Sequence, residues 1–158
     1  MPWKGVTVKA DTPEEIVALY QCREVMEGLG ARLCARHATP EQVEELKELC
    51  REMHAIEDAT ARVEVNSRFH SMIAQFSGNE RVVDYFLDFR ERVNRDMYLS
   101  SFNAVRTHDC DDEHDHIVDA IERHDEVAAE NAMRQHINNA VIFKRANAVI
   151  QDRKLNEV

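Results

Sequence analysis

Four polar side chains in this sequence have types and spacings that could hold a metal ion. Asn66 and His70 are four residues apart, so on a helix both leave the same face, one turn apart. His114 and His136 each lie within a run of apolar residues at helical spacing, which places them on inward faces as well. Neutral imidazole is a common ligand for zinc and nickel, but a single buried histidine is usually a hydrogen-bonded core residue. The residues alone therefore leave two interpretations open, a shared metal site or separate structural histidines.

The apolar periodicity and the capping residues predict six helices to carry these side chains. The predicted ranges are about 13–36, 40–56, 60–77, 79–101, 112–123 and from 126 past Lys144. Thr12 and Thr39 each precede a proline and open a capping box. Gly78 is placed to close the third helix in a left-handed conformation. The polar run from Asn103 to Asp112 predicts a loop.

The same periodicity predicts which way individual side chains point. His114 shares a face with Ile117 and Ile121, so it is expected to point inward and His116 outward. Glu113 is about 100° of helix rotation from His114 and is therefore expected to point away from the site. The inward set predicted for the fourth helix is Val82, Val83, Phe86, Leu87, Phe89, Val93 and Met97.

Composition and charge narrow the function classes. The 158 residues carry a formal net charge of −10, and lysine and arginine are dispersed along the chain. A nucleic-acid-binding domain normally presents a basic face, so this chain is not expected to bind DNA by itself. The sequence shows no apolar run of membrane-spanning length and no signal-peptide pattern, which predicts a soluble cytoplasmic protein. Cys22, Cys34 and Cys50 lie within helical patterns and are expected to be buried free thiols.

Three stretches carry a more specific pattern. The first is Asn66-x-x-Phe69-His70-x-x-Ile73, followed by Gly78-Asn79. The second is Glu113-His114-x-x-Ile117-x-x-Ala120-Ile121, followed by Asp125, Ala129, Met133 and His136-Ile137. The third, near the start of the chain, is Tyr20-x-x-Arg23-x-x-x-Glu27. Together they resemble the FCD effector domain, the C-terminal half of FadR-subfamily GntR transcription regulators, over residues 12 to about 145.

This resemblance implies an all-α fold, a six- to seven-helix antiparallel bundle with a central pocket for a metal and a ligand. It implies a divalent ion, zinc or nickel, held by Asn66, His70, His114 and His136, and a small organic acid bound beside it. The family pattern usually has aspartate where this chain has Asn66, and a neutral amide would bind the ion more weakly and leave the site more positive. A homodimer that acts in transcription regulation is also implied.

Three arginines are candidates for binding a ligand carboxylate. Arg23 could clamp it in bidentate fashion, with help from Arg92 or Arg95 on the fourth predicted helix. An alternative supported at least as well is that Arg23 pairs with Glu27, four residues further along the same helix. Ligand binding would then shift the packing of the helices and, in a full regulator, the spacing of paired DNA-binding domains.

The resemblance also divides the chain. Residues 1–11 are expected to form a tail in which residues 4–8 resemble the last strand of a winged-helix wing. Residues 12–150 form the FCD-like domain, and residues 151–158 form a C-terminal tail. No winged helix-turn-helix precedes the domain, so the sequence is expected to be a regulator cut after its DNA-binding half, or a free-standing descendant. DNA would then be bound only through a winged-helix domain absent from this chain.

Two other functions stay open at this point. A histidine-rich metal site with an open coordination position also describes catalytic zinc, which needs a general base within reach. Glu27 is the only inward candidate for that base, and the chain has no Gly-x-Ser-x-Gly nucleophile motif. The other alternative is a dimerisation module without a ligand, its histidines hydrogen-bonded in the core. The sequence favours a sensor domain that is not an enzyme.

Overall fold

The computed structural model of this chain consists of packed helices. The structure describes the backbone of residues 11–100 and 107–156, and the side chains of residues 11–97 and 109–143. Within the described backbone there are six helices and no strand, which confirms the predicted all-α class. The helices are α1 (Pro13–His37), α2 (Pro40–Ala55), α3 (Ala59–Phe76), α4 (Glu80–Ser100), α5 (Thr107–Glu122) and α6 (Glu126–Asn156). The predicted strand at residues 4–8 lies outside the described residues.

The capping residues fix where the helices begin and end. Thr12 accepts a hydrogen bond from the backbone N–H of Glu15 at 3.2 Å, and the Glu15 carboxylate accepts one from the N–H of Thr12 at 2.7 Å. Thr39 opens α2 in the same way, so both predicted capping boxes are confirmed. Gly78 follows α3 with a φ of 65°, the left-handed conformation that its position predicts.

The packing of the bundle centres on α1. This helix packs along α6 and also contacts α3, α4 and α5, whereas α2 packs on α3 and α5. A Cβ atom on Gly28 would lie 2.7 Å from Cγ of Arg134, so a larger residue there would displace this side chain of α6. The largest fully buried side chains are Tyr20, Leu46, Met53, Phe69, Ile73, Ile117, Ile121, Met133 and Ile137. The core thus lies among the helices that carry the candidate ligands.

The start of α5 differs from the prediction. Residues 107–111 are helical, although their polarity predicts a loop; the first part of that predicted loop, residues 103–106, lies outside the described residues. Asp111 is only 2% exposed, and its two oxygens accept hydrogen bonds from Nη1 of Arg62 at 2.6 and 2.8 Å. Nη2 of Arg62 donates to the carbonyl of Ile56 at 2.7 Å. These contacts with α3 and the end of α2 satisfy a buried charge that the local sequence places in solvent.

Two predictions of burial are wrong. Leu87 is 50% exposed because α4 packs mainly against α1 and α3, so part of its apolar stripe stays uncovered. Cys22 is exposed, whereas Cys34 and Cys50 are buried as predicted. Burial raises the pKa of each of these two thiols to about 12.

The last helix is longer than its predicted minimum. The backbone of α6 is helical through Asn156, past Lys144. Among the residues that the structure describes, no helix is both long and apolar enough to span a bilayer.

Candidate metal-binding site and adjoining cleft

Three imidazoles from three helices meet in the core. His70 on α3, His114 on α5 and His136 on α6 are 3%, 1% and 4% exposed. Their ring centroids lie 5.7, 5.2 and 4.5 Å apart, for the pairs 70–114, 70–136 and 114–136 respectively. One ring nitrogen from each histidine lies within 4.8 Å of the others, which is close enough for the three to share one ion. His116 is exposed, so the predicted orientations of both α5 histidines are confirmed.

Two of these imidazoles have a carboxylate in contact with Nδ1. Nδ1 of His136 lies 2.7 Å from Oε2 of Glu113, whose other oxygen accepts a hydrogen bond from Nδ2 of Asn139 at 2.7 Å. Nδ1 of His70 lies 2.6 Å from Oε2 of Glu27, a close ion-pair contact that lacks hydrogen-bond geometry. A carboxylate hydrogen-bonded to Nδ1, as Glu113 is at His136, fixes the tautomer that leaves the lone pair of Nε2 for a metal, an arrangement common in metalloproteins. The donor set therefore fits a divalent ion.

The protonation of His136 also fits a metal site. Burial lowers the pKa of His136 to about 4, although the contact with Glu113 acts in the opposite direction. The ring is thus neutral at pH 7, as a metal ligand must be. Nε2 of His70 is buried and has no hydrogen-bond partner among the described residues. A bound ion would satisfy this atom, whose burial without a partner is otherwise costly.

Asn66 lies on the same side of α3 as His70 and is 6% exposed. Its Nδ2 donates a weak hydrogen bond to Sδ of Met97 at 3.5 Å. Asn66 and His70 both line the cleft described next, which places Asn66 beside one of the three converging histidines.

A cleft opens beside the histidines, among α1, α3 and α4. Its cavity volume is only about 10 Å³, room for about one water molecule, so a larger guest would have to part the surrounding helices. The lining residues are Arg23, Glu27, Asn66, Ser67, His70, Tyr85, Phe86, Phe89, Arg90, Val93 and Asn94. The hydroxyl of Tyr85 is buried there and has no hydrogen-bond partner in the described part of the chain. A mostly apolar wall with a few unsatisfied polar groups is typical of a small-molecule site.

Comparison with known proteins identifies the family. The model of the FCD domain matches residues 18–139, which is most of the chain. The chain belongs to the FCD domain family. The resemblance seen in the sequence motifs is thereby confirmed.

Its relatives are transcription regulators by name. The HTH-type transcriptional repressor NanR of Escherichia coli K12 is 30% identical over an alignment of 135 residues, and the match covers 80% of this chain and 49% of NanR. The chain thus spans about half the length of the curated relatives it matches.

Two solved structures resemble the fold. A GntR protein of Streptococcus agalactiae is 27% identical, with a TM-score of 0.66 over 85% of this chain and 61% of that one. A GntR family member from Pseudomonas syringae is 19% identical, with a TM-score of 0.75 over 98% of this chain and 65% of that one. At 19% identity the second comparison shows the fold alone.

The three candidate arginines of this FCD domain have different positions. Arg23 lines the cleft, is 4% exposed and donates from Nε to Oε1 of Glu27 at 2.6 Å. Arg92 lies outside the cleft, and its Nη2 pairs with Asp11 at 2.7 Å. Arg95 is half-buried and is not part of the cleft lining either. Arg90, which the sequence analysis did not select, lines the cleft instead.

Two other residues of the site, Glu113 and Tyr85, are not predicted by the sequence. Glu113 was expected to point away from the site, but it reaches the far side of His136 on α6. Rotation about the axis of α5 relates Glu113 only to its neighbours on that helix, whereas the contact depends on how α5 packs against α6. Tyr85 lies one turn before Phe89 on the predicted inward face of α4, and that spacing was a signal that could have found it.

Glu27 is the buried carboxylate nearest to both the cleft and His70. Burial alone would raise its pKa, but the guanidinium of Arg23 and the imidazole of His70 hold the pKa well below its usual range. A general base works best when its pKa lies near the working pH. Glu27 is therefore a permanent negative charge at neutral pH, and it is poorly suited to take up a proton.

Proposed function

We propose that this chain is the ligand-sensing domain of a GntR-type transcription regulator. It would hold one divalent ion, zinc or nickel, and bind a small organic acid in the adjoining cleft. The observation that supports this proposal most strongly is the convergence of His70, His114 and His136, from three helices, on one buried point. Two of these rings carry a carboxylate on Nδ1, as metal-bound histidines usually do.

Each residue of the site has a part in this proposal. The three histidines would hold the ion, with the amide oxygen of Asn66 as the fourth donor. A bound divalent ion supplies local positive charge for a ligand carboxylate. Arg23 and the buried hydroxyl of Tyr85 would donate hydrogen bonds to the acid from the opposite wall of the cleft. Because the cleft is built from α1, α3 and α4, its filling would change how these helices pack.

The DNA-binding step belongs to a part of the regulator outside the FCD domain. The relatives that are named HTH-type repressors are about twice as long as the matched region, and this acidic chain has a net charge of −10. A winged helix-turn-helix domain would bind the DNA, and two copies of the regulator would form a cytoplasmic homodimer. A shift in helix packing would then alter the distance between the two DNA-binding domains.

Metal binding is tested by elemental analysis and thermal melting of the purified protein. We expect about one zinc or nickel ion per chain, and a chelator should lower the melting temperature because the ion stabilises only the folded state. His114→Ala should remove both effects, whereas His116→Ala, an exposed neighbour on the same helix, should remove neither. A His114→Ala protein that binds the ion as wild type does would contradict the proposal.

Ligand binding is tested with a panel of dicarboxylic and hydroxy acids. An acid that fits the cleft should raise the melting temperature of the zinc-loaded wild type. The same acid should have little effect on His114→Ala, because the positive charge of the ion would be missing. If every acid that stabilises the wild type stabilises this variant equally, the metal has no part in recognition.

An enzyme is a weaker alternative. The depressed pKa of Glu27 argues against a general base, and the relatives carry the names of regulators. Metal-dependent hydrolysis of an ester or lactone that is lost in Glu27→Gln even at saturating zinc would favour the enzyme. The third candidate, a ligand-free dimerisation module, predicts a melting temperature that zinc and chelators leave unchanged.

A further inference from the structure

Glu27 joins two parts of the site. Its Oε1 accepts a hydrogen bond from Nε of Arg23 at 2.6 Å, and its Oε2 lies 2.6 Å from Nδ1 of His70. Arg23, Glu27 and His70 are only 4%, 6% and 3% exposed. Charges buried in this way interact strongly because little water screens them. A change in the net charge around Arg23 therefore alters the electrostatic potential at His70 through the carboxylate of Glu27.

The two Nη groups of Arg23 are available as hydrogen-bond donors to a ligand. Its Nε is bonded to Glu27, but neither Nη group makes a hydrogen bond with any residue that the structure describes. The guanidinium rests over the ring of Tyr20, with Cζ 4.7 Å from the ring centroid, and it lines the cleft. Arginine binds carboxylates and phosphates through such paired N–H groups. One guanidinium can thus contact Glu27 and an anion in the cleft at the same time.

The proposal rests on the metal and ligand site described above. We propose that Glu27 couples the two halves of that site, so that an anion bound to Arg23 strengthens the hold of His70 on the metal ion. The anion takes up part of the positive charge of Arg23, and Glu27 then acts more strongly on the Nδ1 side of His70. A more negative partner on Nδ1 makes Nε2 a better metal donor. By thermodynamic linkage the metal must raise the affinity for the anion by the same factor.

Zinc alone can test this coupling, since Arg23→Gln imitates an anion that neutralises the guanidinium. Zinc affinity is measured by competition with a chromophoric chelator at pH 8, where protons compete least with the metal. Glu27→Gln should weaken binding by about 10- to 100-fold, the usual effect of removing a carboxylate behind a metal-bound histidine. Arg23→Gln should tighten binding, and the double variant should match Glu27→Gln because the connection is gone.

The control is Glu24→Gln, on the same helix. Glu24 pairs with Arg134 at the surface, with an Nε–Oε1 distance of 3.1 Å, and is not part of the cleft lining. Its replacement should leave zinc affinity unchanged. A merely structural role of the Arg23–Glu27 pair would make both single variants bind zinc more weakly, so the opposite signs of the two effects are the decisive readout.

Several results would overturn the coupling. One is a Glu27→Gln protein that binds zinc as tightly as wild type. Another is that Arg23→Gln changes the zinc affinity by the same factor in the wild type and in Glu27→Gln, because the guanidinium would then act on the ion directly. Zinc binding by wild type with no effect of either variant rejects this inference alone. A wild type that binds no zinc rejects the proposed metal site as well.

Folding of the variants is controlled separately. Glu27→Gln leaves Arg23 buried without its partner and can prevent folding. In that case the comparison is between Arg23→Gln and the double variant, which differ only at Glu27 and leave no unpaired guanidinium. The double variant should still bind zinc at least about tenfold more weakly than Arg23→Gln. Equal affinities of these two proteins would reject the coupling. The visible spectrum of bound cobalt gives a second readout, since it reports the ligand field directly.

Discussion

At the scale of single residues, Asn66 sets the charge of the proposed site. An amide oxygen is a neutral donor, so three imidazoles and Asn66 would surround a divalent ion without any negative ligand. Among the described residues, the carboxylates of Glu27 and Glu113 contact the imidazoles instead, at 2.6 and 2.7 Å. This arrangement would keep a bound ion attractive to an anionic ligand, because the charge of the ion would be balanced only from a distance.

Replacement of Asn66 by aspartate tests this charge balance. Asn66→Asp should tighten zinc binding by at least about tenfold, since a unit charge beside the ion is worth more than about 1.4 kcal/mol even when partly screened. Competition titration gives the affinity. The matched control is Asn94→Asp, which adds the same charge to the lining of the same cleft from α4. If both variants bind zinc equally well, Asn66 has no special place next to the ion.

At the scale of helices, the ion pair between Arg62 and Asp111 holds the site in register. Arg62 lies one turn before Asn66 on α3, and Asp111 lies three residues before His114 on α5. The carboxylate of Asp111 is almost fully buried and bonded twice to the same guanidinium. The pair thus ties together the two helices that carry three of the four candidate ligands.

Removal of this ion pair should loosen α5. Asp111→Asn should lower the free energy of unfolding by about 3 kcal/mol, because it leaves a largely buried guanidinium without its counter-charge. Urea denaturation of the metal-free protein measures the loss. Asp112→Asn, at the exposed neighbouring position, should cost less than about 0.5 kcal/mol. Equal losses in the two variants would mean that the pair does not anchor α5.

The helices show what could be predicted from sequence and what could not. The capping boxes at Thr12 and Thr39, the left-handed Gly78 and the inward turn of His114 depend on neighbours along the chain, and all are confirmed. The helical first turns of α5 depend on Arg62, about 50 residues away in sequence, and local polarity predicts a loop there. The contact of Glu113 with His136 likewise depends on the packing of α5 against α6, which one-helix geometry cannot supply.

At the scale of the whole molecule, the bundle brings distant parts of the chain to one buried point. His70, His114 and His136 come from three helices, and α1 adds Glu27 and Arg23 from the opposite side. The long contact of α1 with α6 makes these two helices the frame of the site. A ligand bound in the cleft would touch α1, α3 and α4 at once, so its binding could be transmitted to any element attached to these helices.

The central claim is that a metal ion binds among the three buried histidines. Anomalous diffraction at the zinc absorption edge tests this position most directly. Crystals grown with one equivalent of zinc should show one strong peak within bonding distance of ring nitrogens of His70, His114 and His136. A second group that could hold an ion, His54 with Asp112 and Asp115, lies mostly exposed at the surface. A peak at that surface group, with none among the three buried imidazoles, would contradict the account.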